Sequence, residues 1–312
     1  MTMDSPIPLA IVGVGKIARD QHLPSISRTP AFALRAAVSR NAEVDGVQNF
    51  TDIEACLAAR PDVKAVALCL PPEPRFAAAI TALEAGCHVL LEKPPGATLG
   101  ETDVLADLAR EKGVTIFATW HSRFAPAVQP AKAFLADRAI RKVTITWRED
   151  VRRWHPGQGW VWEPAGFGVF DPGINALSIL TEILPDEALL RAARLEVPEN
   201  AATPIGVTMT MGIAGGGYEI DADFDWRQEG PQTWEIAAET DGGLMSLTGG
   251  GKTMAVDGKV VSDEPEAEYD GIYKRFADLI EAGESDMDMR PLRLVADACL
   301  LGRRVAVEPF HE

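Results

Sequence analysis

Cysteine is scarce in this chain of 312 residues. The four thiols, Cys56, Cys69, Cys87 and Cys299, form no C-x-x-C pair. That excludes a disulfide framework and a zinc ribbon. The thiols read instead as small buried hydrophobes of a reducing compartment. Histidine is scarce too. His22, His88, His121, His155 and His311 show no ligand spacing, so no metal site is expected. Basic charge is in deficit, with 30 Lys and Arg against 46 Asp and Glu and a formal net charge of -16. So acidic a chain repels phosphate backbones and anionic lipid, so neither nucleic acid nor a membrane is an expected partner. No apolar run is long enough to span a bilayer. The opening Met-Thr-Met-Asp-Ser-Pro has no basic stretch followed by an apolar core, so a cytoplasmic protein is expected. Low-complexity sequence is absent, and 46% hydrophobic residues is ordinary for a globular protein.

What is present has the length and pattern of two domains. Up to residue 122, short apolar runs alternate with helical stretches. The runs begin at Leu9, Leu34, Val63, His88 and Val114. The helical stretches fall at 15–27, 52–59, 75–85 and 99–112. Fully apolar strands alternating with helices indicate an α/β Rossmann domain, a doubly wound parallel sheet covered on both faces. From 123 to 312 the pattern becomes α+β. Alternating segments separated by glycine runs indicate a large, mostly antiparallel open sheet. The last helix is free to pack back on the first domain, and the sheet is a candidate homodimer surface.

The sharpest local motif is Gly13-Val-Gly15-Lys-Ile-Ala18, directly after the first strand. Gly13 permits a tight turn, Gly15 lets the backbone approach a pyrophosphate, and Ala18 lets helix pack closely on strand. At the first strand–helix junction of such a pattern it points to dinucleotide binding. An NAD site usually has an acid at the end of the second strand. Here Val38-Ser39-Arg40-Asn41 stands instead. Ser39 and Arg40 suit a 2′-phosphate, which favours NADP with NAD possible. A solvated surface turn is the alternative.

Glu92-Lys93-Pro94 closes the fourth strand, where a lysine points either into the crevice or into solvent. Asp171-Pro172 reads as a helix cap and first helical residue, or as a reacting carboxylate with Asn175 four residues on. Trp147, Trp154, Trp160 and Trp162 cluster with Glu149, Arg152, Arg153 and His155. This stretch suits a small polar ligand with apolar edges, or a loop pinned by buried indoles. Gly249-Gly-Gly-Lys-Thr253 mimics a P-loop tail, but its hairpin context argues against phosphate binding.

Taken together, these residues resemble the Gfo/Idh/MocA oxidoreductase family over nearly the whole chain. The glycine motif, Glu92-Lys93-Pro94 and Asp171-x-Gly173-x-Asn175 carry the likeness. The segments beginning at Gly15, Ala118, Glu149 and Val169 place it in the branch that oxidises L-arabinose and D-galactose. The resemblance implies hydride loss from C1 of an aldopyranose to NADP, giving the aldonolactone. It implies catalytic roles for Lys93 and Asp171, with His121, Glu149, Trp154, His155, Asn175 and Trp234 lining the sugar pocket. It implies cofactor contacts from Gly13, Gly15, Lys16, Ile17, Ser39, Arg40, Leu70, Pro71, Glu92 and Lys93. Much of the family has histidine where Asn175 stands. An amide is no base at neutral pH, which leaves Asp171 or Lys93 as the base; Asp171 is the expected one, with Lys93 polarising O1 and Asn175 orienting hydroxyls. Trp162-Glu163 replaces the family's usual Trp-Arg, which removes an arginine contact to the cofactor.

Overall fold

The computed structural model describes residues 5–265 and 267–311. These divide into two compact units. The first holds the residues up to His121 together with Tyr269–Asp288, and the second holds Ser122–Glu268 and the chain from Met289 onward. The sequence places the boundary at 122/123 and offers the last helix for return to the first domain. In the structure the crossing comes one residue earlier, and the helix before the last is the one that returns.

In the first unit β1 (Ile7–Val12) leads through a π-helical turn, Ala18–His22, into α1 (Leu23–Arg28). Then come β2 (Phe32–Val38), β3 (Gln48–Phe50), α2 (Ile53–Ala59), β4 (Ala65–Leu68) and α3 (Pro72–Glu84). β5 (His88–Leu91), α4 (Leu99–Lys112) and β6 (Ile116–Ala118) complete the alternation. Among the described residues the sheet order is β3-β2-β1-β4-β5-β6, with every pair parallel. The order reverses between β1 and β4, and ligands of such sheets bind outside the strand C-termini at that switch. β4 is wholly buried and wholly apolar because helices cover both faces. β3 adds a strand that the sequence pattern does not show, since an exposed edge needs no apolar run.

The second unit opens with α5 (Val128–Leu135), β7 (Ile140–Arg148), α6 (Val151–Trp154) and α7 (Phe170–Ile183). β8 (Ala188–Pro198), β9 (Gly206–Ile213), β10 (Glu219–Asp225) and β11 (Thr233–Thr240) follow. After β12 (Gly243–Thr248), β13 (Thr253–Val256) and β14 (Lys259–Asp263) come α8 (Glu268–Ala282), α9 (Arg290–Leu301) and β15 (Arg303–Val307). The described strands form one sheet in the order β14-β13-β12-β11-β7-β10-β9-β8-β15. It is antiparallel except where β7 meets β10 and β8 meets β15. The glycine run at 249–251 is the turn between β12 and β13, not a phosphate loop. One sheet face buries Val143, Ile145 and Trp147 of β7 with Ile220 and Phe224 of β10. The ring of Phe170 on α7 packs edge-on against Phe224 at 6.2 Å. The other face carries ion pairs of Lys142 with Asp221 and Arg148 with Asp223.

The returning segment completes the first unit's core. Phe276 of α8 is fully buried and stacks on Phe32 of β2 at 5.5 Å and on Phe117 of β6 at 6.4 Å. Burial of such a side chain contributes about 1.5–3 kcal/mol. Cys56 and Cys87 are buried as expected, and burial pushes the Cys56 thiol up to about 11. Cys299 departs from that expectation, because it lies on the exposed side of α9. No helix among the described residues is long and apolar enough to cross a membrane.

Candidate active site

At the C-terminal edge of the first unit's sheet, Gly13 adopts φ +90° and donates its N–H to Val38 O. A Cβ there would stand 2.9 Å from the carbonyl carbon of Cys69, so the turn admits only glycine. Gly15 differs. A Cβ on it would meet nothing within 4 Å and would fill open space in front of the helix that follows. Ala18, the third small residue of the motif, is fully buried. These are the features by which a dinucleotide-binding turn admits a pyrophosphate, so the residues fit a nicotinamide dinucleotide. Lys16 is exposed and ion-paired with Asp20, which leaves the Lys16 and Ile17 backbone as their contribution.

Beyond the end of β2 lies an open recess of about 810 Å³ lined by Ser39, Arg40 and Asn41. Arg19 and Glu43 line the same recess, and neither stands out in the sequence. Arg19 reaches it from the π-helical turn, whose phase no α-helical repeat would give. Glu43, five residues past the end of β2, supplies the acid that the strand end lacks. Both cationic and acidic groups therefore face this recess.

At the end of β5, Glu92 is buried at 4% exposure. Its Oε1 lies 2.9 Å from His22 Nε2 and accepts from the Tyr269 hydroxyl at 2.8 Å. Its Oε2 accepts the Lys93 N–H at 2.8 Å. His22 is itself fully buried, with Nδ1 2.8 Å from the Tyr273 hydroxyl. Burial opposes charge on Glu92, yet the hydrogen bond and charge of His22, with His121 and Tyr269, hold its carboxyl down at about 2. Burial opposes charge on His22 as well, but Cys69, Tyr273 and Glu92 hold it well above its usual value. The Glu92 carboxylate faces inward and holds the backbone of Lys93. His121 stacks on Tyr269 at 5.7 Å, and Leu70 and Pro71 form the neighbouring loop that opens α3.

In the second unit Asp171 is not the helix cap. Val169 is the cap residue, and Asp171 is already helical and buried at 4% exposure. The helix begins early because Gly168, at φ +54°, turns the chain into it, and a Cβ there would stand 2.3 Å from Pro204 O. Phe167 beside it holds φ +69°, a strained value for an aromatic residue. The Asp171 carboxylate is therefore placed by packing. His155 Nε2 lies 3.6 Å from Asp171 Oδ2 and 3.9 Å from Glu149 Oε1. Glu149, also buried, accepts from the indole N–H groups of Trp226 at 3.2 Å and Trp234 at 3.0 Å. Trp234 packs against Trp154 at 5.3 Å and Trp147 at 6.3 Å. Trp154 remains 39% exposed, so that side of the aromatic cluster stays open. Asn175, one turn after Asp171, is half-buried.

The structure thus gathers Glu149, Trp154, His155, Asp171 and Trp234 in the second unit, with Asn175 on the same helix as Asp171. Glu92, Lys93 and His121 come together in the first. Trp147 and Trp162 belong to packing, since Trp147 is buried in the sheet and Trp162 lies edge-on to fully buried Trp226 at 5.2 Å. Trp226 lies in a strand-like run and carries no sequence signal of its link to Glu149. Among the described residues there is no group of three His, Cys, Asp or Glu arranged to hold a metal.

A parallel sheet in this order, with a glycine turn open at its switch point, defines a protein with a dinucleotide-binding Rossmann domain. The chain belongs to the Gfo/Idh/MocA family: residues 7–119 match that family, described as "Oxidoreductase family, NAD-binding Rossmann fold". It is 42% identical to galactose 1-dehydrogenase of Pseudomonas fluorescens, over 98% of this chain and 99% of that one. The crystal structure of D-galactose-1-dehydrogenase protein from Rhizobium etli superposes with TM-score 0.96 at 54% identity, covering 100% of both chains. A 3-ketoreductase from Actinomadura kijaniata, solved with NADP and TDP-benzene, shares the fold at 19% identity and TM-score 0.83, covering 97% of this chain and 99% of that one.

Proposed function

We propose that this chain is an aldose 1-dehydrogenase. It oxidises D-galactose and L-arabinose at C1 to the aldonolactone, with NADP preferred and NAD accepted. The observation that carries the reading is the buried, non-capping carboxylate of Asp171, set beside His155, whose ring packs on Trp226. The likeness to the two galactose dehydrogenases supports the choice of sugar. L-Arabinose and D-galactose share their configuration at C2, C3 and C4, so a pocket reading those hydroxyls accepts both.

When bound, the oxidised nicotinamide supplies the hydride acceptor at C1. Asp171 takes the O1 proton. Lys93 polarises O1 and stabilises the developing alkoxide. The Asn175 amide hydrogen-bonds hydroxyls and orients the ring. The indole faces of Trp154 and Trp234 cover its C–H edge and exclude water. Ser39, Arg40 and Arg19 hold the 2′-phosphate, while Glu43 offers an acceptor to a free 2′-hydroxyl, which is how NAD is accepted as well.

The test is reduced-nicotinamide absorbance with L-arabinose, D-galactose, D-xylose, D-glucose and myo-inositol, each with NADP and with NAD. Strong turnover of the first two with NADP supports the reading. Tight NADP binding with no turnover of any of the five overturns it and leaves another substrate or a regulatory role.

A further inference from the structure

We propose that Arg75 is a positioning residue for Lys93, acting through the backbone on both sides of it. This rests on the reading of Lys93 as the lysine at the reacting oxygen. Arg75 lies in the first half of α3, and its side chain is buried at 3% exposure. One terminal nitrogen of its guanidinium, Nη1, donates to the carbonyls of both Glu92 and Pro94. The other, Nη2, donates to the carbonyl of Leu70.

Glu92 and Pro94 are the two chain neighbours of Lys93. The Lys93 N–H is held as well, by the Glu92 carboxylate at 2.8 Å. The carbonyls of the residues before and after Lys93 are therefore both anchored, and both are tied to the loop that closes β4. A lysine side chain is long and flexible, so the direction of its ammonium begins with the direction of its Cα–Cβ bond. A misplacement of about 1 Å at a reacting group costs on the order of 10²-fold in rate. Only a planar fork with several N–H groups reaches three carbonyls on two loops at once, and the compact ammonium of a lysine does not reproduce that geometry.

The experiment uses the full chain with Arg75→Lys and Arg75→Gln. Steady-state oxidation gives kcat and the sugar KM, and fluorescence titration gives the Kd of the nicotinamide dinucleotide. Hydrogen exchange by mass spectrometry follows a peptide covering 91–96 in the cofactor-free protein. Pro94 and Pro95 have no amide and the first two residues of a peptide lose their label, so that peptide reports mainly on Lys93 and Gly96. The expected result is exchange at Lys93 faster by about 10-fold and kcat lower by about 10- to 100-fold, with sugar KM and cofactor Kd changed by less than about 3-fold. Arg75→Lys should recover part of the loss seen in Arg75→Gln. Faster exchange with unchanged kcat overturns the proposal, and so does unchanged exchange. If neither variant folds, Arg75 is a stability element and the proposal is overturned. Lys93→Ala is the separate control. Full turnover in that variant means that the role of Lys93 itself is misassigned, whatever Arg75 does.

Discussion

His155 Nε2 stands 3.6 Å from the carboxylate of Asp171, and the same imidazole ring packs 5.2 Å from Trp226. The imidazole thus borders the one buried carboxylate of α7 that the chain's own caps leave for chemistry. If Asp171 takes the sugar proton, Asp171→Asn lowers kcat by about 10²–10⁴ and leaves the sugar KM nearly unchanged. Steady-state kinetics decide it. Near-normal turnover in this variant, with Lys93→Ala inactive, reverses the two roles.

The recess past β2 predicts how cofactor choice responds to charge. Arg40→Ala weakens NADP binding by about 1.5–3 kcal/mol, the range of a charge-assisted hydrogen bond, and leaves NAD nearly untouched. Glu43→Gln acts in the opposite sense, tightening NADP and weakening NAD. Calorimetric titration with both nucleotides tests the pair, and equal losses for both cofactors in Arg40→Ala refute the assignment.

The Glu92 carboxyl falls from an ordinary 4.5 to about 2 on folding. A group depressed in this way adds stability that is complete above about 4.5 and is lost as pH falls towards about 2, here on the order of 3 kcal/mol. His22, raised on folding, adds stability below about 6.5 that is lost as pH rises through its folded value. Urea unfolding between pH 2.5 and 7 should show an acid limb that is smaller in Glu92→Gln than in the wild type, the remainder coming from other depressed carboxylates such as Glu182 and Glu196. That variant should also be weaker at pH 7, with a buried imidazolium left opposite an amide. An acid limb of the same size in both proteins would contradict this.

Glu149 accepts two indole N–H groups, one on each carboxylate oxygen. In Glu149→Gln one oxygen becomes an NH₂ that faces an indole N–H, donor against donor. We expect a loss of about 1–3 kcal/mol in stability. We also expect a red shift of tryptophan emission, because the Trp234 wall loosens. Emission and stability identical to the wild type would show that the two bonds hold nothing in place.

Legibility in the sequence varied with how local each signal is. His88–Leu91 and Leu99–Lys112 are legible to the residue. Their stops are local: the Thr98 side chain caps α4 by accepting from Glu101 N, and Gly113 ends it at φ +66°. β8 was illegible because a register shift between Leu190 and Ala192 breaks its alternation, and its parallel partner β15 lies at the far end of the chain. Lys93 and Asp171 show as motifs because short neighbouring residues mark them. Arg75, Trp226, Tyr269 and Tyr273 do not, because each reaches its partner only through the tertiary fold. Of the two readings of Asp171, the helix cap fails for a similar reason, since Gly168 starts the helix earlier than the Asp-Pro pair suggests.

The interleaving of the two units also bears on how the protein is made. Tyr269, Tyr273 and Phe276 belong to the first unit's interior but are translated after nearly all of the second. A ribosome-bound chain that has released only the first 121 residues has no cover for Phe32 and no hydroxyls for Glu92 and His22. Domains usually fold as they emerge, N-terminal first. Here the nucleotide-binding half waits, part-assembled, for a segment synthesised near the end, and a cut at the apparent domain border yields a fragment that keeps the core between its sheet and helices but lacks the layer of Tyr269, Tyr273 and Phe276.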